Sequence, residues 1–152
     1  MEILLTNFNL LPVLIASVLS FIIGAIWFGP KTFYPVWMKA LDREIPKERV
    51  KMSAGETLLM FGGTYLAALI QVATLGAIIS MAKALDPNFG IGTGALFGLL
   101  FSVGLGAFAS LSHRMFSHPN FKVYKSIKVW LIEVGQDVVC LTIAGAIIGA
   151  WA

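Results

Sequence analysis

Charged side chains are scarce in this sequence. Lys, Arg, Asp and Glu together make up 12% of its 152 residues, whereas a soluble domain carries about 25%. Hydrophobic residues reach 58%, and four apolar runs are each long enough to cross the roughly 30 Å hydrocarbon layer of a bilayer. The composition therefore predicts an integral membrane protein and argues against a soluble domain.

Cysteine and recognisable catalytic groups are also lacking. The only cysteine is Cys140, which excludes a disulfide within one chain. The sequence shows no nucleophile beside a base and no phosphate-binding loop, so we expect neither an enzyme nor a bound cofactor. His113 and His118 are five residues apart, but Pro119 breaks the helix that would align them, and a metal ion would need further ligands. We therefore expect no metal site.

The apolar runs predict an all-α fold with a single transmembrane domain over residues 1–152. After the first run, Phe33, Trp37 and Leu41 recur at intervals of four residues, which predicts a short interfacial helix. Ser53 and Glu56 have the spacing of a capping box, which marks the start of the second helix. The predicted spans are residues 10–28, 58–82, 91–111 and 129–151. The two loops that carry most of the basic residues are residues 29–57 and 112–128.

Basic residues are distributed unevenly between the predicted loops. Ten of the eleven Lys and Arg residues lie in the first and third loops, and only Lys83 lies in the second. The positive-inside rule predicts that both basic loops are cytoplasmic and that the N- and C-termini are outside. The net charge of +3 is thus explained by topology, and no nucleic-acid-binding module fits in the short loops.

Small residues recur every four positions in the third apolar run. Such a stripe lets another helix approach closely, from the same chain or from a second protomer. Gly145 and Gly149 form a similar pair in the last run, and Ala16, Ser20 and Gly24 do so in the first. The residues of the third-run stripe are Gly90, Gly94, Gly98, Ser102, Gly106 and Ser110.

Aromatic residues cluster at the ends of the predicted spans. Such rings are typical of the membrane–water boundary, where an apolar body and a polar edge are both accommodated. We therefore predict an anchoring role for Trp27, Phe33, Trp37, Trp130 and Trp151.

Two carboxylates lie within the last span. Glu133 and Asp137 are four residues apart and share one helix face with Gln136 nearby. An ionisable group at the centre of a spanning helix costs at least about 2.5 kcal/mol, so it normally faces a bundle interior, a wet cavity or a partner. These residues form a candidate ion or proton site. Gln71 of the second span is expected either to bond with Gln136 or Asp137, or to bond with its own helix backbone.

Two segments resemble a known family. Gly24 to Pro30, GAIWFGP, is followed by Phe33, Trp37 and Met38; near the C-terminus, Glu133-Val134-Gly135 precedes Gly145-Ala-Ile-Ile-Gly-Ala-Trp151. This layout resembles the small, mostly bacterial membrane proteins of the domain of unknown function 1761 family. The resemblance implies four membrane helices and a bacterial inner-membrane location, and it implies no activity. The family usually has an aspartate at the position of Glu133.

The sequence leaves two main functional hypotheses. The first is a structural or accessory subunit that associates with itself, or docks in a larger membrane complex, through the glycine-rich third helix. The second is an oligomeric transporter or channel, coupled to ions or protons, that uses the acidic pair of the fourth helix. The second hypothesis needs several copies, because four spans rarely enclose a pathway.

Overall fold

The computed structural model describes residues 8–46, 48, 51–86, 88–116 and 122–151. Within these residues the chain is helical and contains no strand, which confirms the predicted all-α class. All helices except the second are long and apolar enough to cross a membrane, as predicted. The helices are α1 (Leu10–Trp27), α2 (Tyr34–Ala40), α3 (Ala54–Lys83), α4 (Ile91–Phe116) and α5 (Val123–Ala150).

Three of the long helices extend beyond the predicted spans into polar sequence. α3 begins at Ala54 rather than at residue 58, α4 continues to Phe116, and α5 begins at Val123 rather than at residue 129. The spans were predicted from runs of apolar residues, whereas a helix with its backbone hydrogen bonds continues until a cap ends it. The predicted capping box is confirmed, since Ser53 and Glu56 bond reciprocally at the start of α3.

The short helix α2 follows α1 after a tight turn. Pro35 lies in its first turn, where the missing N–H is tolerated. The helix ends at Ala40, and Asp42 then adopts a φ of 54°, in the left-handed region that Asp tolerates better than most residues. This turn brings Asp42 to Lys122 and Lys125, so the two basic loops meet at one end of the bundle.

α5 is the central helix of the bundle and contacts each of the others. The small residues predicted to form a groove on α1 face it: Ala16 and Ser20 are buried, and a β-carbon on Gly24 would meet the side chain of Gln136. The main hydrophobic core lies toward the end of the bundle opposite the basic loops, and its buried residues are aliphatic apart from Phe89. Its buried members include Val13, Val72, Leu75, Ile79, Leu141, Ala144 and Ile148.

The glycine stripe of the third span packs against α5 of the same chain. A β-carbon on Gly94 would overlap with the Gly145 carbonyl, and one on Gly98 would overlap with the Leu141 carbonyl. A β-carbon on Gly149 would lie 2.6 Å from the carbonyl oxygen of Gly90. This corrects the hypothesis that the stripe docks a partner, because α5 already fills it at Gly94 and Gly98.

The stripe does not continue along the whole helix. Residues Ser102–Ala107 form a π-helical segment, which adds one residue to the turn. The buried position after Ser102 is therefore Ala107, five residues on, while Gly106 is exposed and a β-carbon there would meet nothing within 4 Å. Ser110 is half-buried and bonds to the Ala107 carbonyl. The predicted six-residue stripe is thus wrong beyond Ser102.

Candidate functional site

Glu133 is the centre of a polar contact that joins three helices. Its Oε1 accepts a hydrogen bond from the indole N–H of Trp37 on α2, at 3.0 Å. Its Oε2 lies 2.6 Å from Nε of Arg114 at the end of α4. The Glu133 side chain is 21% exposed and that of Arg114 is 41% exposed. Both carboxylate oxygens are therefore engaged, and the charge of Glu133 is compensated within the chain.

Two elements bring these partners to Glu133. Trp37 is presented by the α1–α2 turn, which is closed by Thr32, whose hydroxyl donates to backbone carbonyls including that of Trp27. Arg114 lies in the last turn of α4, beyond the π-helical segment. The sequence makes Arg114, Lys125 and Lys128 candidate neighbours of Glu133, because long basic side chains at the membrane boundary can extend toward it. Arg114 forms the contact, whereas Lys125 bonds to Asp42.

The tryptophans expected at the membrane surface make specific bonds within the protein. Trp27 donates its indole N–H to the Ile132 carbonyl at 2.9 Å and stacks on Phe33, with ring centroids 4.4 Å apart. Trp130 donates to the Ala107 carbonyl at 2.9 Å, in the π-helical segment. These bonds hold α1 and α4 to α5, a role that composition does not reveal. Trp151 is half exposed, and its carbonyl lies 3.4 Å from Nζ of Lys83.

Asp137 differs from Glu133 in having no partner among the described residues. It lies one helical turn further along α5, in the central part of the span, and is half-buried. Neither a hydrogen bond nor an ion pair links its carboxyl group to another described side chain. The acidic pair is therefore divided into a compensated carboxylate and an uncompensated one.

The two glutamines predicted to join this site make different contacts and do not bond with each other. Nε2 of Gln136 contacts Sγ of Cys140 at 3.8 Å, and its amide fills the space beside Gly24. Gln71 is exposed on α3 and makes no hydrogen bond to α5 within the described ranges. The predicted link from Gln71 to Gln136 or Asp137 is therefore absent. The rotation of α3 about its axis explains this, because it turns Val72 and Leu75 toward the core and leaves Gln71 to the side.

No group of three or more His, Cys, Asp or Glu side chains in the described part of the chain could hold a metal ion. Of the histidine pair considered from the sequence, His113 lies in the last turn of α4, while His118 and Pro119 lie outside the described residues.

At the basic end of the bundle, Asp42 forms ion pairs with Lys125 of α5 and with Lys122, which immediately precedes that helix. Lys125 and Lys122 hydrogen-bond to its carboxylate, the latter at 3.2 Å, and these bonds hold the pKa of Asp42 below its usual range. Sequence reasoning missed this contact because the charges of the first loop are nearly balanced and suggest a solvated segment. It fastens the α2 end to the first turn of α5.

Comparison with known protein families gives one result over nearly the whole chain. Residues 11–149 match the family described as "Protein of unknown function (DUF1761)". The chain belongs to this family. The DUF1761 match runs from α1 to α5 and so includes Trp27, Trp37, Glu133 and Asp137. No curated protein and no solved structure matches the chain.

The site of this DUF1761 protein offers two kinds of chemistry. The Trp37, Glu133 and Arg114 contact can hold helices together, because each group has its hydrogen-bonding partner. Asp137 can accept or release a proton, bind a cation or bond to a group from another chain, since an uncompensated carboxyl group within a span needs one of these partners.

Proposed function

We propose that this multi-pass protein is a structural or accessory subunit of an oligomeric assembly in the bacterial inner membrane. The observation that carries the proposal is the incomplete coverage of α3. All buried residues of this helix lie between Val72 and Ser80, while Leu58 and Leu59 are more than 70% exposed and Gln71 presents a polar amide at the surface. Lipid can cover the leucines, but it cannot satisfy the amide.

The proposal differs from the sequence-based hypothesis in the helix that docks. The groove beside Gly94 and Gly98 of α4 is filled by α5 of the same chain, so the partner is expected to contact α3 instead. The basic end of the bundle, with Arg114, Lys122 and Lys125, is proposed to face the cytoplasm. The protein is proposed to have no catalytic activity and no cofactor of its own.

The mass of the particle released from the native membrane tests this proposal. The chain has a mass of 16.4 kDa, so extraction with a polymer that retains the surrounding lipid should give protein at twice this mass or more. Chemical cross-linking before extraction should give the same stoichiometry. Protein of monomeric mass by both methods would overturn the proposal.

A second candidate function is supported by Asp137. Glu133 is neutralised by Arg114, whereas Asp137 has no described partner, which is the arrangement expected of a group that exchanges protons or binds a cation. Transport of ions or protons by an oligomer is therefore the alternative. Flux in vesicles reconstituted with the protein, under imposed pH and cation gradients, distinguishes it from a purely structural role.

A further inference from the structure

Gln71 places an exposed amide deep in the membrane-spanning part of α3. At 1.5 Å per residue it lies about 18 Å along the helix from Lys83 and about 22 Å from Glu56, and no charged residue lies between those two. Among the described residues, neither a side chain nor a backbone group of its own helix hydrogen-bonds with the Gln71 amide, so the alternative of a bond to its own backbone is also not observed. Hydrocarbon offers no hydrogen-bonding group at this depth, so leaving the amide unpaired is costly. It therefore needs a partner beyond the described contacts of the chain.

The residues around Gln71 are uncharged and exposed, and most of them have small side chains. The hydroxyls of Thr64 and Thr74 bond to carbonyls of their own helix, at 2.6 and 2.8 Å, so they need no outside partner. A β-carbon on Gly63 would meet nothing within 4 Å, so another backbone can come close there. We call this surface the Gln71 face; it comprises Met60, Gly63, Thr64, Ala67, Gln71 and Thr74, which are all exposed.

These residues share one side of α3. All of them except Thr64 are spaced by three or four residues, and Thr64, beside Gly63, widens the stripe to an arc of about 100°. The stripe lies to the side of Val72, Leu75 and Ile79, which enter the core. At 3.6 residues per turn, neighbouring positions such as Leu66 point about 100° away from it. The Gln71 face is therefore free of the intramolecular packing of α3.

We infer that the Gln71 face binds the same face of a second copy of this chain, with the two Gln71 amides hydrogen-bonded to each other. This deepens the proposed function by naming the partner, and it rests on that function. A carboxamide carries both a donor and an acceptor, so it is complementary to itself. Copies inserted in the same orientation place Gln71 at the same depth, and a twofold axis along the membrane normal sets the face against itself. No charge on the face opposes this.

Disulfide cross-linking in native membranes tests the geometry. Cys140 is first replaced by Ser, so that the introduced thiol is the only one in the chain. Ala67→Cys should form a disulfide-linked dimer under mild oxidation, because position 67 lies on the face. Leu66→Cys, one residue along and about 100° around the helix, is the matched control and should stay uncross-linked. Equal cross-linking at both positions would indicate random collision and overturn the inference.

Two substitutions test the energetics. Gly63→Leu has space within the chain, so it should keep the monomer fold but abolish the dimer; Gly92→Leu, at another glycine with open space around it, should leave the dimer intact. Gln71→Leu should weaken dimerisation roughly 3- to 30-fold, the range expected for one interhelical amide contact. Thermal unfolding of each variant in detergent shows whether the monomer is still folded.

The outcomes separate this inference from the proposed function. An oligomer that persists in Gly63→Leu and gives no Ala67→Cys cross-link associates through another face, which overturns the inference alone. Cross-linking of Ala67→Cys to a different protein also overturns the inference and leaves the accessory-subunit function standing. A wild-type chain that is monomeric in native membranes overturns both.

Discussion

Gly94 and Gly145 pack backbone against backbone between α4 and α5. A β-carbon on either residue would overlap with the carbonyl oxygen of the other, so the contact is reciprocal. One turn away, a β-carbon on Gly98 would overlap with the carbonyl oxygen of Leu141. The two helices are so close here that neither glycine could carry even a methyl group. Both helices belong to the same chain.

The first prediction concerns this contact. Gly94→Ala should destabilise the folded chain by about 1 to 3 kcal/mol, because the added methyl group forces two backbones apart. Unfolding by denaturing detergent in mixed micelles, followed by circular dichroism, measures the change.

The control for this prediction is Gly92→Ala, two residues away on the same helix. A β-carbon there meets nothing within 4 Å, so the variant should be neutral or up to about 1 kcal/mol more stable, owing to the higher helix propensity of Ala. Equal effects at the two positions would show that α4 and α5 are not in close contact.

A second prediction concerns the bond between Trp37 and Glu133. A double-mutant cycle with Trp37→Phe and Glu133→Leu should give a coupling free energy of about 1 kcal/mol, since the bond has a charged acceptor but is partly open to solvent. The same cycle with Trp37→Phe and Asp137→Asn serves as the control. Its coupling should be near zero, because Asp137 does not bond to Trp37. A comparable coupling in both cycles would contradict the geometry.

A third prediction follows from the ion pairs of Asp42. Lys125 and Lys122 lower its pKa in the folded chain, so the unfolded chain binds more protons at Asp42 in acid. The stabilisation is therefore present at neutral pH and is lost as the pH falls below about 4. Asp42→Asn should lower the unfolding midpoint at pH 7, and the difference from wild type should shrink at pH 3 and in high salt.

Asn suits this test because, like Asp, it tolerates the positive φ at position 42. Glu44→Gln is the matched control, since Glu44 is an exposed carboxylate nearby with no ion pair to a described residue. A pH-independent difference between wild type and Asp42→Asn would show that the ion pairs contribute nothing.

The fourth prediction separates the two proposed functions at Asp137. If the protein transports ions or protons, Asp137→Asn should abolish flux in reconstituted vesicles and leave assembly intact, because Asn keeps the size and much of the hydrogen bonding. If Asp137 only joins helices or subunits, Asn should be tolerated, and Asp137→Leu should loosen the assembly instead. A wild-type protein that assembles but carries no flux would eliminate the transport function.

Several features could be predicted because they depend on neighbouring residues in the sequence. The number of long apolar helices follows from the transfer of apolar side chains out of water, which acts on each run separately. The capping box of Ser53 and Glu56 involves residues three positions apart. The packing of Ala16, Ser20 and Gly24 against another helix follows from their small size, whichever helix is the partner.

The candidate site could be predicted only in part. The sequence places Glu133 and Asp137 on one helix face, and Arg114 is one of three basic residues that the sequence puts within reach of Glu133. The Trp37 contact was not predicted, because its indole was interpreted as a membrane anchor and nothing in the local pattern links it to a residue 96 positions away. The difference between Glu133 and Asp137 arises from these distant partners.

Residues within a few turns of one another set which segments are helical, which of these can cross a membrane and which faces are small enough for close packing, so these features can be predicted from the sequence. Three other features are visible only in the folded chain: α5 fills the groove at Gly94 and Gly98, the π-helical segment shifts the buried position to Ala107, and Gln71 points away from α5. These outcomes depend on how each helix is rotated about its axis. That rotation is set by the packing of all the helices at once.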